Sequence, residues 1–480
     1  MKLPLPAALL TLCLLFCRLP GTAQSAGTTT PYSLQRCVAL ALEHNLQVRQ
    51  AGWLTETDRA NLTAAWGDIL PFLSGNVTHG INQGRSIDPF TNTYINQEIS
   101  FANYNLNGSV TLWNGLSLQN AVHQSKLAYE ADKMDLQQVR ENVTISVMLA
   151  YLQVLNSDEQ LNQARQQAAV TARQVERLQE LDSLGAIAPA LLHDLRGQLA
   201  NDRLNEVNMR NNAQTARLTL AQLMNTPFSA AMQVEPLPET LPPATSSPDA
   251  ARLYEAAAAA LPQIKAADLR LRSAQKGLKA ARGQWSPSIY AFGNLGTTYS
   301  SAASRSTLLG TTEVATGNYV VVGTDRVPVY TSVSNYSSQV IPYNEQWRNN
   351  VFSTIGLGLR IPILNGNQTR TRIGLARIAE QQAAFQAQTT RTQVQQVVEQ
   401  AVLNLQNARE RYNTLTGQVH DFALSFQAAE ARFEAGVGTS VDYMVAKTNL
   451  DRARSNLIAA RYDVALRSKI VEYYEGKPLP

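Results

Sequence analysis

Apolar and polar residues alternate without a break from Ala102 to Leu112. Ala102, Tyr104, Leu106, Gly108, Val110 and Leu112 share one face; Asn103, Asn105, Asn107, Ser109 and Thr111 share the other. A period of two held that long predicts a strand with one apolar side. Leu73, Val77 and Ile81 against Ser74, Asn76 and Thr78 predict its antiparallel neighbour after Pro71. A second pair is predicted further on. Ile289, Ala291 and Leu295 oppose Asn294 and Thr298, although Tyr290 and Phe292 blur the polar side. Val351, Ile355, Leu357, Leu359, Ile361 and Ile363 then oppose Thr354, Gly356 and Arg360. About ten alternating residues suit a transmembrane barrel strand meeting lipid on one side and water on the other, and also suit a hairpin at the edge of a soluble sheet. The amide and hydroxyl side favours the barrel.

Between the strand pairs the period changes to that of helices. Ser33–Trp66 carries a one-sided stripe from Leu34, Val38, Ala41 and Leu42, with Asn45 as a candidate interruption. From Ser117, a candidate cap, to Ser183 there is neither Gly nor Pro over 67 residues, about 100 Å of helix. Gly185 and Pro189 reverse the chain, and helix resumes from about Leu191 to Met224. A helix from Asp249 to Gln284 follows, with Pro262 at the place of Asn45. In the helix from about Asn367 to Glu434, Val398, Ala401, Leu405, Ala408, Tyr412, Leu415, Val419, Phe422 and Phe426 step by threes and fours. That is a coiled-coil seam, which a core helix of a soluble bundle would share.

The chain contains this order twice. Gly366 follows Gly115 by 251 residues, and Gly436 follows Gly185 by the same 251. Residues 24–226 form the first repeat (short helix, β-hairpin, long helix, return helix), the proline-rich residues 227–248 a linker, and residues 249–480 the second repeat. The second differs by a longer loop at about 300–348, rich in Ser, Thr, Tyr and Asn. Two short helical stretches stacked end to end match one long helix, giving four columns per chain. Four strands are too few to close a barrel, and an open edge is costly in lipid. A dimer would supply eight strands and a trimer twelve.

Composition narrows the function. Lys and Arg total 41 against 37 Asp and Glu, with no basic block, so nucleic acid is not an expected partner. Residues 1–23 resemble a secretory signal: Lys2, an apolar run from Ala7 to Cys17, and Gly21-Thr22-Ala23 before Gln24. Lipidation at Cys17 is disfavoured by the bulk of Phe16, and Cys13 and Cys17 would leave with the signal. Cys37 then remains alone, so no internal disulfide is expected. After Gln24 no run of about 18 apolar residues predicts a membrane helix. His44, His79, His123, His193 and His420 show no metal-ligand spacing, and Gly436-Val437-Gly438 lacks the strand and third glycine of a nucleotide fingerprint. Neither an enzyme nor a cofactor is expected.

Taken together, SLQRCVALALEHNLQVRQA (Ser33–Ala51), IPILNG (Ile361–Gly366), FEAGVGTSVDYMVAKTNLDRA (Phe433–Ala453), RYDVALRSKIVEYYEG (Arg461–Gly476), and Pro71 and Pro287 at the helix-to-strand crossings resemble the TolC-like family of outer-membrane efflux proteins. The resemblance covers nearly the whole mature chain. It implies an α+β membrane protein: a trimeric 12-stranded outer-membrane β-barrel continued by a long periplasmic α-helical barrel. It implies the outer membrane of a Gram-negative bacterium, and an exit duct in a tripartite efflux or type I secretion system. The implied partners are two further copies of the chain, a periplasmic adaptor (membrane fusion) protein, and an inner-membrane transporter of the resistance-nodulation-division or ABC type. A periplasmic coiled-coil adaptor or scaffold is the rival reading, and the alternating strands discriminate against it.

The site residues follow from the reversals. The tips Leu184–Leu191 and Ala435–Val441 are expected to dock the adaptor, with Gly185, Ala186, Gly436 and Gly438 leaving room for close approach. For Gly185 and Gly436, permitting the turn is an equal explanation. Some relatives close the periplasmic mouth with Tyr, Arg and Asp contacts; the matching positions, about Phe433, Gly438 and Leu191, cannot form them. Asp442 matches an acidic position that forms a ring in some relatives, and Val445 replaces a second one. Asp442 and Phe433 are therefore the expected tunnel constriction, with three Asp442 carboxylates attracting cations. Asp442 also suits a helix cap, and the two roles are compatible.

Overall fold

A computed structural model describes residues 31–87, 92–96, 98–236 and 249–477. The signal at 1–23 and the part of the linker from 237 to 248 lie outside the described residues. The chain divides into two units. One takes the described residues of Met1–Thr55, Asp132–Ala266 and Gln388–Pro480, the other Glu56–Ala131 and Ala267–Ala387.

Helices α1 (Leu34–His44) and α2 (Leu46–Gly67) meet at Asn45, whose side-chain oxygen accepts from Gln47 N at 2.8 Å and so caps α2 as α1 ends. Strands β1 (Phe72–Asn82), β2 (Arg85–Ile87), β3 (Tyr94–Asn96) and β4 (Ile99–Trp113) follow, then α3 (Ser117–Ser183) and α4 (Pro189–Leu223). Helices α5 (Ala250–Ala260) and α6 (Pro262–Gly283) meet at Leu261, which Pro262 holds in extended geometry. The chain continues through β5 (Ser288–Ser300), β6 (Ser304–Val322), β7 (Asp325–Val340), α7 (Tyr343–Asn349) and β8 (Phe352–Arg360). It ends with α8 (Gln368–Glu434) and α9 (Ser440–Tyr474). Both α3 and α8 have 67 residues, and both α4 and α9 have 35.

The second unit holds a four-stranded antiparallel sheet in the order β1-β4-β5-β8. Its register sets Leu106 beside Leu295, Ala291 beside Val110 and Leu357, and Ile289 beside Leu359, giving one apolar face. On the other face Ser74, Asn107, Asn294 and Thr354 form one row, and Asn294 Nδ2 donates to Asn107 Oδ1 at 2.5 Å. Tyr290 and Phe292 fit there because each ring lies over a glycine of β8, Gly358 and Gly356. Aromatic cover of a strand glycine hides bare backbone, so bulky rings serve the polar face after all. One irregularity was not expected: β4 bulges at Leu112, which turns Trp113 onto the apolar face opposite Ile289.

The loop expected at 300–348 is structured. β6 and β7 pair as a long two-stranded ribbon, and α7 follows it. Val320, Val321 and Val322 follow one another in β6, so apolar residues fall on both of its sides and the ribbon leaves no period-two signature. Ser117 is not the cap of α3. Asn114 Oδ1 accepts from Leu118 N at 3.3 Å, while the Ser117 hydroxyl, buried, donates to Ala280 O at 2.8 Å.

Three clusters hold the first unit. Cys37, Val38 and Ala41 of α1 pack on Val147, Tyr151 and Val154 of α3 and Leu220 of α4. Met232 joins them, and the Tyr151 hydroxyl donates to Glu235 O at 2.6 Å. The beginning of the predicted linker is thus core, fixed also by Glu235 N donating to Tyr32 O. Leu253 and Ala257 of α5 pack on the α8 seam residues Val398, Ala401 and Leu405 and on Val471 of α9. The third cluster lies at the reversals. Among the described residues no helix is long and apolar enough to cross a membrane.

Candidate functional site

Both reversals belong to the first unit. Helix α3 ends with Gly185 at φ +68°, Gly185 N donating to Asp182 O and Ala186 N to Leu181 O. Helix α8 ends alike: Gly436 has φ +75°, and Val437 N donates to Arg432 O at 3.0 Å. These bonds satisfy carbonyls that a helix end leaves open, and the left-handed residue is why glycine stands there. A Cβ at either position would meet nothing within 4 Å. Gly438 differs, because its Cβ would lie 3.0 Å from Phe433 N and 3.1 Å from the Arg432 carbonyl carbon. The room beside Gly438 is filled by its own turn. Ala186 is exposed.

Helix α9 opens on Thr439, whose hydroxyl oxygen accepts from Asp442 N at 3.1 Å while its O–H donates to Asp442 Oδ2 at 2.8 Å. Asp442 is therefore part of the helix cap. It is exposed. Phe433 is half-buried, its ring stacked on Tyr443 with centroids 4.9 Å apart, and Phe426 meets the same tyrosine at 5.6 Å. Such ring pairs contribute about 0.5–1.5 kcal/mol each beyond burial. Tyr443 is fully buried among Val175, Leu178, Leu192 and Leu195, so α3, α4 and α9 close around one phenol. Burial raises its pKa, assisted by Glu430, Asp451, Asp202 and Glu434. A cleft of about 350 Å³ opens between the reversals, lined in part by Leu181, Ile187, Leu191, Phe433, Gly438 and Ser440. At its rim Arg177 pairs with Glu434 at 2.8 Å.

One group escaped sequence reasoning. Lys447, one turn beyond Tyr443, is 3% exposed. Its ammonium donates to Asp202 Oδ2 of α4 at 3.0 Å and to Asp451 Oδ2 of α9 at 2.7 Å. Thr171 of α3 donates to the same Asp202 oxygen at 2.5 Å. The signal was available: Tyr443, Lys447, Leu450 and Ala453 share the buried side of α9, so a lysine occupies a core position. A buried ammonium needs such carboxylate partners.

Asp451 has its pKa raised by burial, against the lowering effect of Lys447. The folded unit then binds that proton more tightly than the unfolded chain. The resulting stability is full below the ordinary value of 3.8 and is lost as pH rises through the elevated one. As the pH is lowered from 7.5 to 3.8, the Asp451→Asn protein is expected to show a less favourable change in melting temperature than the parent. An equal change would mean that this carboxyl does not titrate with folding.

The sequence profile of the outer membrane efflux protein family matches residues 37–226 and 253–469. The chain is 24% identical over 378 residues to outer membrane protein TolC of Escherichia coli K12, covering 77% of this chain. It spans about two thirds of the TolC proteins of Escherichia coli and Salmonella enteritidis, 68% and 66% of their lengths. Its fold is similar to that of CusC, with TM-score 0.74, 16% identity and coverage of 93% of this chain and 92% of that one. It is likewise similar to the outer membrane protein VceC of Vibrio cholerae, with TM-score 0.73, 15% identity and coverage of 93% and 97%. The two segments matched by the family profile make up most of the chain, which belongs to the outer membrane efflux protein family.

Proposed function

We propose that this outer-membrane protein is the passive exit duct of a tripartite efflux or type I secretion system, working as a homotrimer. The observation that carries the reading is the four-stranded sheet itself. Its edge strands β1 and β8 have no outer partner among the described residues, and its apolar face bears Val77, Ile355 and Leu357 at 70%, 91% and 73% exposure. A face of that kind matches lipid, and in lipid both edges must be paired. Three copies joined β8 to β1 give a continuous twelve-stranded barrel with the Asn and Thr rows lining the lumen. Within the second unit, the junctions with α2, α3, α6 and α8 fall at one end of the sheet, and the paired strands β2 and β3 and the β6–β7 ribbon at the other. The ribbon end is then extracellular and the helices periplasmic.

The reversals are the adaptor-docking surface in this reading. Ala186 and the cleft between the reversals receive the adaptor, while Gly185, Gly436 and Gly438 shape the turns. Asp442, exposed after capping α9, forms a three-carboxylate ring with its copies, and Phe433 braces that constriction through Tyr443. The adaptor delivers substrate from an inner-membrane transporter of the resistance-nodulation-division or ABC type. In detergent the protein should have three times the protomer mass, and in planar bilayers it should conduct ions. A stable monomer with full strand content would overturn the trimer and the closed barrel together.

A further inference from the structure

Strand β5 has 13 residues and β8 only 9, so pairing between them stops at Gly296 with Phe352. Among the described residues, no strand pairs with residues 297–300 of β5 beyond the end of β8. The short helix α7 fills the gap with side chains. Gln346, 1% exposed, accepts from Ser300 N at 3.0 Å and donates to Ser300 O at 2.9 Å and Ile341 O at 2.8 Å. Asn350 donates to Thr298 O at 2.8 Å, and Thr297 Oγ1 donates to Trp347 O at 3.1 Å. Two amide side chains therefore do for this edge what a further strand would do.

The same helix carries aromatic rings over the apolar face. Trp347 meets the edge of Tyr104 at 4.4 Å, and Tyr343 meets Tyr299 at 4.7 Å. The Tyr104 and Tyr343 hydroxyls are 2.5 Å apart. Trp347 and Tyr343 both remain 43% exposed. Along β4, Trp113 is nine residues from Tyr104, and the bulge at Leu112 has put it on this face. Nine residues span about 30 Å of strand, or about 23 Å across a membrane at the usual barrel tilt. That matches the apolar band of about 25 Å between the aromatic girdles of such barrels. Rings with one apolar and one polar end settle at the boundary between acyl chains and headgroups.

We propose that α7 is an edge-sealing interfacial helix: it closes the end of β5 that runs past β8 and seats Tyr343 and Trp347 in the lipid headgroup layer of the outer leaflet. The proposal rests on the barrel reading above, and Trp113 marks the opposite boundary. The test uses two full-length proteins, each keeping one tryptophan, Trp347 or Trp113, with the other four changed to Phe. Each is reconstituted into vesicles of phosphatidylcholine brominated at a shallow or a deep acyl position. Both tryptophans should be quenched several-fold more by shallow than by deep bromines. Trp113 quenched with Trp347 unaffected, or Trp347 quenched best by deep bromines, would overturn the placement of α7 and leave the barrel standing. Neither quenched would overturn the barrel reading itself. Adding Gln346→Leu to the Trp347 protein should release α7 and lower its shallow quenching; unchanged quenching would show that the edge seal does not hold the helix.

Discussion

The Lys447→Ala protein is expected to lose about 3–5 kcal/mol of stability, because removing one partner of a buried ion cluster strands the others. Asp202 and Asp451, with side chains 10% and 19% exposed, would lose the ammonium they share. The loss should appear as a lower melting temperature of the helical circular dichroism signal in detergent. Replacing the cluster whole, as Lys447→Met with Asp202→Leu and Asp451→Leu, should recover most of it, since buried ion groups and packed apolar groups of similar size are often near parity. A Lys447→Ala protein that melts with the parent would mean that α4 and α9 do not depend on this contact.

The second large effect separates two turns that look alike. Asn114-Gly115 and Asn365-Gly366 both lead into a 67-residue helix, with Gly115 at φ +66° and Gly366 at φ +59°. Alanine at either costs about 1–2 kcal/mol for the left-handed backbone. At Gly115 the new Cβ would also stand 2.6 Å from Gly283 O, whereas at Gly366 nothing lies within 4 Å. Overpacking against backbone adds about 1–3 kcal/mol. Gly115→Ala should therefore lower the denaturation midpoint clearly more than Gly366→Ala. Equal effects would show that the close approach of Gly115 to Gly283 relaxes freely.

What the sequence disclosed follows from how each element meets its surroundings. The strands of the sheet were legible because one side is apolar, and Ser117–Ser183 because nothing in it breaks a helix. The seam on α8 was legible for the same reason: Val398, Leu405 and Ala408 are all buried. The ribbon of β6 and β7 was not, since runs such as Val320-Val321-Val322 put apolar residues on both sides and carry no alternation. Helix α7 is too short to establish a helical period, and its Gln346 reads as a surface residue until the unpaired edge is seen. At the reversals, Gly185 and Gly436 were readable as turns, while Gly438 needed coordinates to reveal that its own chain fills the space beside it. Lys447 was hidden by habit, because a lysine in a polar helix is ordinarily a solvated one.

The matched lengths of α3 and α8 carry a consequence for descent. One residue inserted in either helix would rotate everything beyond it by about 100° and advance it by about 1.5 Å. The Val398-to-Phe426 stripe would turn away from its neighbours, and one reversal would slide past the other. Change in the helical unit is therefore restricted to substitution, or to whole repeats of about seven residues taken by several helices at once. The β6–β7 ribbon is under no such constraint, because residues added at its turn disturb only each other. Among descendants of this gene, length variation should accumulate between residues 304 and 340, while the two 67-residue helices keep their count.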